Sequence, residues 1–192
     1  VVAEIDRLGG KAMALTADLA DHTAVAHLVD KVLAKFGPLT CLVNNASLFQ
    51  YDDVATLEQD LWDRHMAINL KAPVFLAKAM AEHLPSGASG NVINIIDQRV
   101  WKPTPHFFSY AASKAGVLSL TKSSAIEWAP DLINVNAIAP GVFRTDLNSA
   151  LLDGTERGRE FLIRTPMKRF GKPEELVGAA VLLGSEAASY IT

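Results

Sequence analysis

Two side chains with acid–base chemistry lie four residues apart in the segment Tyr110-Ala111-Ala112-Ser113-Lys114. Positions four apart share one face of a helix, so we expect the Tyr110 phenol and the Lys114 ammonium to lie within reach of each other. A free tyrosine has a pKa of about 10, and a neighbouring cation lowers that pKa because it favours the phenolate. The spacing therefore predicts a Tyr–Lys pair for acid–base catalysis, although an exposed lysine beside a half-buried tyrosine fits it too.

The elements that must position this pair alternate along the chain. Runs rich in Val, Ile and Leu, typical of buried strands, are separated by stretches with helical spacing of apolar residues. Such alternation indicates an α/β fold with a parallel sheet covered on both faces. The predicted strands are 12–16, 39–43, 91–96 and 133–138, and the predicted helices are 1–8, 21–36, 57–84, 109–128, 155–163 and 173–183.

Polar motifs follow the predicted strands, where ligands of such sheets bind. Asp18 follows the first strand, Asn44-Asn45-Ala46-Ser47 the second, Asp97 the third and Pro140-Gly141 the last. Asn69 lies within the long predicted helix. We therefore expect these residues to meet at one edge of the sheet.

Together these motifs resemble the short-chain dehydrogenase/reductase family, and the resemblance spans essentially the whole chain. It implies a Rossmann-type doubly wound parallel sheet and an NAD(P)-dependent oxidoreductase with a small-molecule substrate. It also implies that Tyr110 is the proton donor, that Lys114 is its electrostatic partner and a ribose ligand, and that Asn69 belongs to a proton relay through water. Pro73 has no N–H that could bond the Asn69 carbonyl. Either this carbonyl is left free to bind the relay water, or Pro73 simply kinks the helix.

The resemblance assigns further residues to a nicotinamide cofactor. Asp18 would contact the adenine end, Asn44 would support the sheet, and Thr145 would reach the carboxamide. The cofactor expected is NADP, with NAD left open. The full set of cofactor positions is Asp18, Leu19, Asn44, Asn45, Ala46, Ser47, Tyr110, Lys114, Pro140, Gly141 and Thr145.

The family's glycine-rich phosphate loop has no counterpart here, because no pair of glycines has the required spacing and context. The chain also opens in a helical pattern without a start signal and ends at Thr192 without a turn. We expect residues 1–192 to be one domain and a fragment, which lacks its first strand–helix–strand unit and its C-terminal end.

Asp97 departs from the family pattern. Members usually carry a serine thirteen residues before the tyrosine, where it hydrogen-bonds the substrate carbonyl. A carboxylate cannot donate such a bond unless it is protonated, so either the site is altered or the reaction needs an acid near a ring nitrogen. Pteridine reductases resemble this chain in having the residue types of Asp97, Ser47 and Phe49. The resemblance implies that Phe49 stacks on the pterin. The sequence therefore predicts hydride transfer to a pterin-type ring, with Phe49, Asp97 and Tyr110 at the substrate.

Two alternatives remain open. Residues 167–175 resemble the tail shared by oxoacyl-carrier-protein and sugar-alcohol reductases, so residues 143–164 could build a pocket for 3-oxoacyl or sugar and polyol substrates. The second alternative hypothesis is a non-enzymatic nucleotide-binding protein, and the presence of Asn69, Tyr110 and Lys114 argues against it.

The amino-acid composition limits the classes of binding partner that we expect. Lys and Arg number 18 against 21 Asp and Glu, with no basic stripe, so no nucleic-acid partner is expected. The longest run without a polar residue, 176–184, is far shorter than the ~20 residues that cross a bilayer. The single cysteine, Cys41, fits a reducing compartment, and the histidines show no metal-ligand spacing. We expect a cytoplasmic homotetramer without a metal, in which helices 57–84 and 109–128 pair across a two-fold axis.

Overall fold

Three parallel strands form the sheet of the computed structural model, which describes residues 1–146 and 148–192. Along the sheet the strands follow the order β1–β2–β3, with Val43 paired to Ile93 and Asn94 paired to Ala137. Their carboxyl ends therefore share one edge, as predicted. The strands are β1 Cys41–Asn44, β2 Gly90–Ile95 and β3 Ile133–Ile138.

Helices cover both faces of this sheet. On one face Val92 packs with Met80 of the fourth helix and Ala125 of the fifth, whereas Ile93 on the other face lies near Gly184, which ends the eighth helix. This arrangement confirms the predicted α/β Rossmann-type fold. The α-helices are α1 Val2–Arg7, α2 His22–Phe36, α3 Gln59–Met66, α4 Ala72–Glu82, α5 Phe108–Trp128, α6 Ser149–Leu152, α7 Glu156–Arg164 and α8 Val177–Leu183. Short 3₁₀ turns span Gln98–Val100, Ala129–Asp131, Pro173–Leu176 and Glu186–Ala188.

The strand predicted at residues 12–16 is wrong for the chain as it stands, because this segment has no regular structure. A strand needs a neighbour whose backbone groups it can bond, and none of the described strands lies beside this segment. Apolar composition alone therefore does not make a strand here.

The helix predicted at 57–84 is interrupted rather than continuous. Ala67–Lys71 forms a π-helical turn between α3 and α4, and the Ala72 N–H donates to the Ala67 carbonyl, five residues back. Pro73 follows at once and has no N–H, so the ordinary bond to the Asn69 carbonyl is impossible. The π-turn widens the helix where Asn69 lies, a position typical of functional sites.

The helices of the described residues include none that is long and apolar enough to cross a membrane. One cluster of buried apolar residues lies between the sheet and the pair α4–α5. Its buried members are Ala77, Met80, Val92, Ala125, Ile133 and Val135.

Candidate active site

A cavity of about 180 Å³ opens beyond the carboxyl ends of β2 and β3. Its wall brings together Ser47, Phe49, Asp97, Tyr110 and Gly141, five of the positions that the sequence assigned to cofactor or substrate. Further lining comes from the segment between β3 and α7, including Asn148 and Leu152, and from Phe161 of α7. The predicted convergence of these side chains at one sheet edge is therefore present in the fold.

The start of α5 places Tyr110 in this cavity. Asp52 is 4% exposed, and its carboxylate accepts hydrogen bonds from the Ser109 backbone N–H at 3.0 and 3.3 Å. The backbone carbonyl of Asp52 accepts from the Phe108 N–H at 3.3 Å. A carboxylate at a helix N-terminus satisfies free N–H groups and complements the helix dipole. Asp52, which the sequence analysis did not identify, thus anchors the turn that carries Tyr110.

Asp52→Ala should therefore reduce both stability and turnover in the full-length protein. Loss of a helix cap typically costs about 0.5–2 kcal/mol of the free energy of unfolding, and here it also releases the turn that carries Tyr110. Urea unfolding measures the first effect and steady-state kcat the second. Asp60→Ala, an exposed change in the first turn of α3, is the control. Equal stability of the two variants would contradict the role given to Asp52.

The Tyr110 hydroxyl donates a hydrogen bond to Asp97 Oδ2 at 3.0 Å. Burial raises the pKa of Tyr110 well above its usual value, and the Asp97 charge and hydrogen bond raise it further, whereas the Arg99 charge lowers it. The expectation that a nearby cation leaves this pKa lowered is therefore wrong. Desolvation and the neighbouring anion together disfavour the phenolate more than the Arg99 charge favours it. The Tyr110 phenol is consequently neutral and donates a hydrogen bond.

Lys114 lies one turn further along α5 and is 4% exposed. Its Nζ donates to the Ile95 backbone carbonyl at 2.7 Å and lies 5.8 Å from the centre of the Tyr110 ring. Burial lowers the pKa of Lys114 to about 8, although the Asp97 charge acts in the opposite direction. The ammonium thus lies beside the phenol ring, as the spacing predicted, and it keeps most of its proton at neutral pH.

Asn69 is buried, and its side chain joins three segments of the site. Its Oδ1 accepts from the Leu48 N–H at 2.7 Å and from the Ser47 hydroxyl at 3.2 Å. Its Nδ2 donates to the Leu48 carbonyl at 2.9 Å and to Ser113 Oγ at 3.1 Å. The side chain is therefore fully engaged, so a relay at this position would use the backbone carbonyl.

Aromatic side chains close one end of the cavity. Phe49 stacks on the buried Phe107 at 4.8 Å between ring centres and meets Tyr110 edge-on at 4.9 Å. The Arg99 guanidinium carbon also lies 4.4 Å from the centre of the Phe107 ring. Phe49 is thus held by its neighbours and lines the cavity, in the place where the sequence expected a stacking residue.

The positions assigned to a cofactor lie along the same edge but not in one pocket. Leu19, Asn44, Asn45 and Ala46 line a second, apolar cavity of about 350 Å³, and Ser47 lines the first. Consecutive residues thus border both cavities, and the second cavity continues along β1 and the apolar side of α2. The Asn44 side chain itself donates to Asn94 Oδ1 at 2.8 Å, a sheet-supporting contact.

Four predicted cofactor positions border neither cavity, namely Asp18, Lys114, Pro140 and Thr145. Asp18 is exposed, and its carboxylate accepts from the Ala20 N–H at 2.9 Å in a local turn. Pro140 and Thr145 border neither cavity, and the Thr145 N–H donates to Asn148 Oδ1. Among the described residues, no group of three or more His, Cys, Asp or Glu side chains could hold a metal ion.

Comparison with known proteins defines the class. A sequence model for the family described as Enoyl-(Acyl carrier protein) reductase matches residues 1–192. The chain is 37% identical over 191 residues to the 2-dehydro-3-deoxy-D-gluconate 5-dehydrogenase of Escherichia coli, which covers 99% of this chain and 76% of that protein. The fold and the relatives together define an NAD(P)-dependent oxidoreductase. The chain belongs to the short-chain dehydrogenase/reductase family.

Two solved structures extend the comparison. A gluconate 5-dehydrogenase from Burkholderia cenocepacia, in complex with NADP and tartrate, matches with a TM-score of 0.93 and 34% identity, covering 100% of this chain and 75% of that one. The FolM alternative dihydrofolate reductase 1 of Brucella canis, complexed with NADP, matches with a TM-score of 0.81 and 40% identity, covering 94% and 69%. The predicted likeness to pteridine reductases in particular is therefore too narrow, because sugar dehydrogenases are also among the relatives.

Proposed function

We propose that the protein uses NADP(H) to interconvert a carbonyl and an alcohol on a small hydroxylated substrate, of the sugar-acid or polyol class. Relatives that act on sugar acids, by their names, support this class. The observation that carries the proposal is the state of Asp97. Its Oδ1 accepts from the Arg99 backbone N–H at 2.8 Å, and its Oδ2 accepts from the Arg99 guanidinium at 2.9 Å and from Tyr110.

A carboxylate paired in this way is a hydrogen-bond acceptor. Sugar and polyol hydroxyls can donate to it, whereas the nitrogen of a ring that is being reduced needs a proton donor. Asp97 thus suits a substrate with hydroxyl groups beside the reacting carbon. The small cavity, with Ser47 and Asn148 as further polar groups, also favours a compact substrate.

In the reductive direction Tyr110 would give its proton to the carbonyl oxygen. The Lys114 ammonium would stabilise the phenolate that remains, because an opposite charge favours the ionised form. NADPH, when bound, supplies the hydride. The residues proposed to hold the cofactor are Lys114, Leu19, the segment that ends at Ser47, and Gly141. Asn69 would keep the Ser47-Leu48 turn in place.

Reduction of a pterin-type ring is the second candidate. The Tyr110 hydroxyl, which Asp97 orients, could deliver a proton to a ring nitrogen, and Phe49 offers an aromatic surface beside it. The 40% identity to a protein named as an alternative dihydrofolate reductase supports this candidate.

A substrate panel with the full-length protein distinguishes the candidates. NADPH oxidation is followed with 5-ketogluconate and other keto-sugar acids, with dihydrofolate and dihydrobiopterin, and with an acetoacetyl thioester. We expect the highest kcat/KM with a keto-sugar acid. A preference for the pterins would establish the second candidate, and activity only with the thioester would favour an acyl substrate.

A further inference from the structure

Arg99 is held more firmly than a surface arginine. Its guanidinium Nη1 donates to Asp97 Oδ2 at 2.9 Å, its Nε donates to Thr104 Oγ1 at 3.0 Å, and its side chain is 11% exposed. The Phe107 ring lies 4.4 Å from the guanidinium carbon and the Phe49 ring 5.7 Å from it. Stacking and bonding together fix the plane of the guanidinium, which a lysine could not reproduce.

The Arg99 guanidinium therefore bonds the same carboxylate oxygen, Asp97 Oδ2, that accepts the Tyr110 hydrogen bond. Burial is the largest cause that raises the pKa of Tyr110, and Asp97 raises this pKa further, whereas Arg99 lowers it. The other charged groups nearby are Lys114, which bonds the Ile95 carbonyl, and Arg157 of α7, which lies over Phe107 at 5.4 Å. Neither is bonded to Asp97 in the described structure, so Arg99 is the cation that acts on this carboxylate directly.

We propose that Arg99 is a positioning residue for proton transfer, which orients the Asp97 carboxylate and offsets its charge so that Tyr110 can release its proton. The inference rests on the proposed role of Tyr110 as the proton donor. Without Arg99, the phenolate formed during reduction would face an unbalanced anion 3.0 Å away. Without both Arg99 and Asp97, that repulsion is absent, so the need for Arg99 disappears.

A double-mutant cycle tests this dependence in the full-length enzyme. The variants are Arg99→Met, Asp97→Ser and the two combined. Steady-state kcat and KM are measured together with NADPH affinity by fluorescence and with the midpoint of thermal unfolding. Arg169→Met is the matched control, because Arg169 makes a similar two-bond pair with Glu175 on the surface.

We expect Arg99→Met to lower kcat at least about tenfold, the change that one pKa unit represents in a proton-transfer equilibrium, with NADPH affinity unchanged. In the Asp97→Ser background the same change should cost much less. Arg99→Lys should restore only part of kcat, because it returns the charge without the planar fork. Arg169→Met should leave kcat unchanged.

An equal loss of kcat from Arg99→Met in both backgrounds would overturn the proposal, since it would assign Arg99 to the fold alone. The cycle is run on whichever substrate class the wild type reduces best. A failure of the sugar-acid assignment then appears in the wild-type panel, whereas a failure of the Arg99 role appears in the missing coupling.

Discussion

Tyr110→Phe is expected to lower kcat of the full-length enzyme by about 10²–10⁴-fold, the usual contribution of a general acid. The phenylalanine keeps the ring that packs edge-on against Phe49 and removes the hydroxyl that donates to Asp97. NADPH affinity should therefore remain nearly unchanged. Steady-state turnover on the preferred substrate and a fluorescence titration of NADPH provide the two measurements.

The matched control is Tyr190→Phe, the same chemical change on a fully exposed tyrosine. It should leave both kcat and NADPH affinity at the wild-type values. Near-normal turnover of Tyr110→Phe on the preferred substrate would contradict the assignment of Tyr110 as the proton donor, and with it the role given to Lys114.

The second large effect is expected from the titration of Lys114. Because burial lowers the pKa of Lys114 to about 8, the free enzyme loses this positive charge as pH rises through that value. The phenolate of Tyr110 then loses its neighbouring cation, so kcat/KM for reduction should fall above pH about 8. The unfolded chain holds this proton up to its ordinary pKa of 10.5, so the Lys114 contribution to the free energy of unfolding should rise between these values.

Two variants check this assignment. Lys114→Arg keeps its charge at all accessible pH values and should remove the fall above pH about 8, with lower overall activity. Lys114→Ala should lower kcat and weaken NADPH binding together, because Lys114 is proposed to serve both. Persistence of the alkaline fall in Lys114→Arg would show that another group titrates there.

Spacing along the chain was sufficient to predict the central elements of the fold. The interval from Tyr110 to Lys114 fixes one face of α5, and the apolar run at Ile133–Ile138 matches β3. Both depend on local periodicity, which sequence shows directly. The failed strand at residues 12–16 depends instead on a neighbour that the described residues do not supply.

The charge balance of the site could not be predicted in the same way. The Asp97–Arg99 pair joins residues two apart, so an acidic start of a 3₁₀ turn followed by arginine was its only local signal. The Asp52–Ser109 contact joins residues far apart in sequence, and only the folded chain brings them together. Burial, together with the Asp97 charge and hydrogen bond, reverses the expected shift of the Tyr110 pKa, because local spacing shows neither the depth of burial nor which atoms the charges face.

The π-turn at Ala67–Lys71 makes the helix that contains Asn69 sensitive to changes in length. The α3 segment before it packs against α5, whereas the α4 segment after it packs against α2 and the sheet. A π-turn holds one more residue than an α-helical turn, so a one-residue deletion here would leave a regular α-helix in which α3 and α4 keep their packed faces. The Asn69 side chain would then leave the position from which it bonds the Ser47-Leu48 turn. A change in the number of residues at this turn would therefore disturb the site rather than the core.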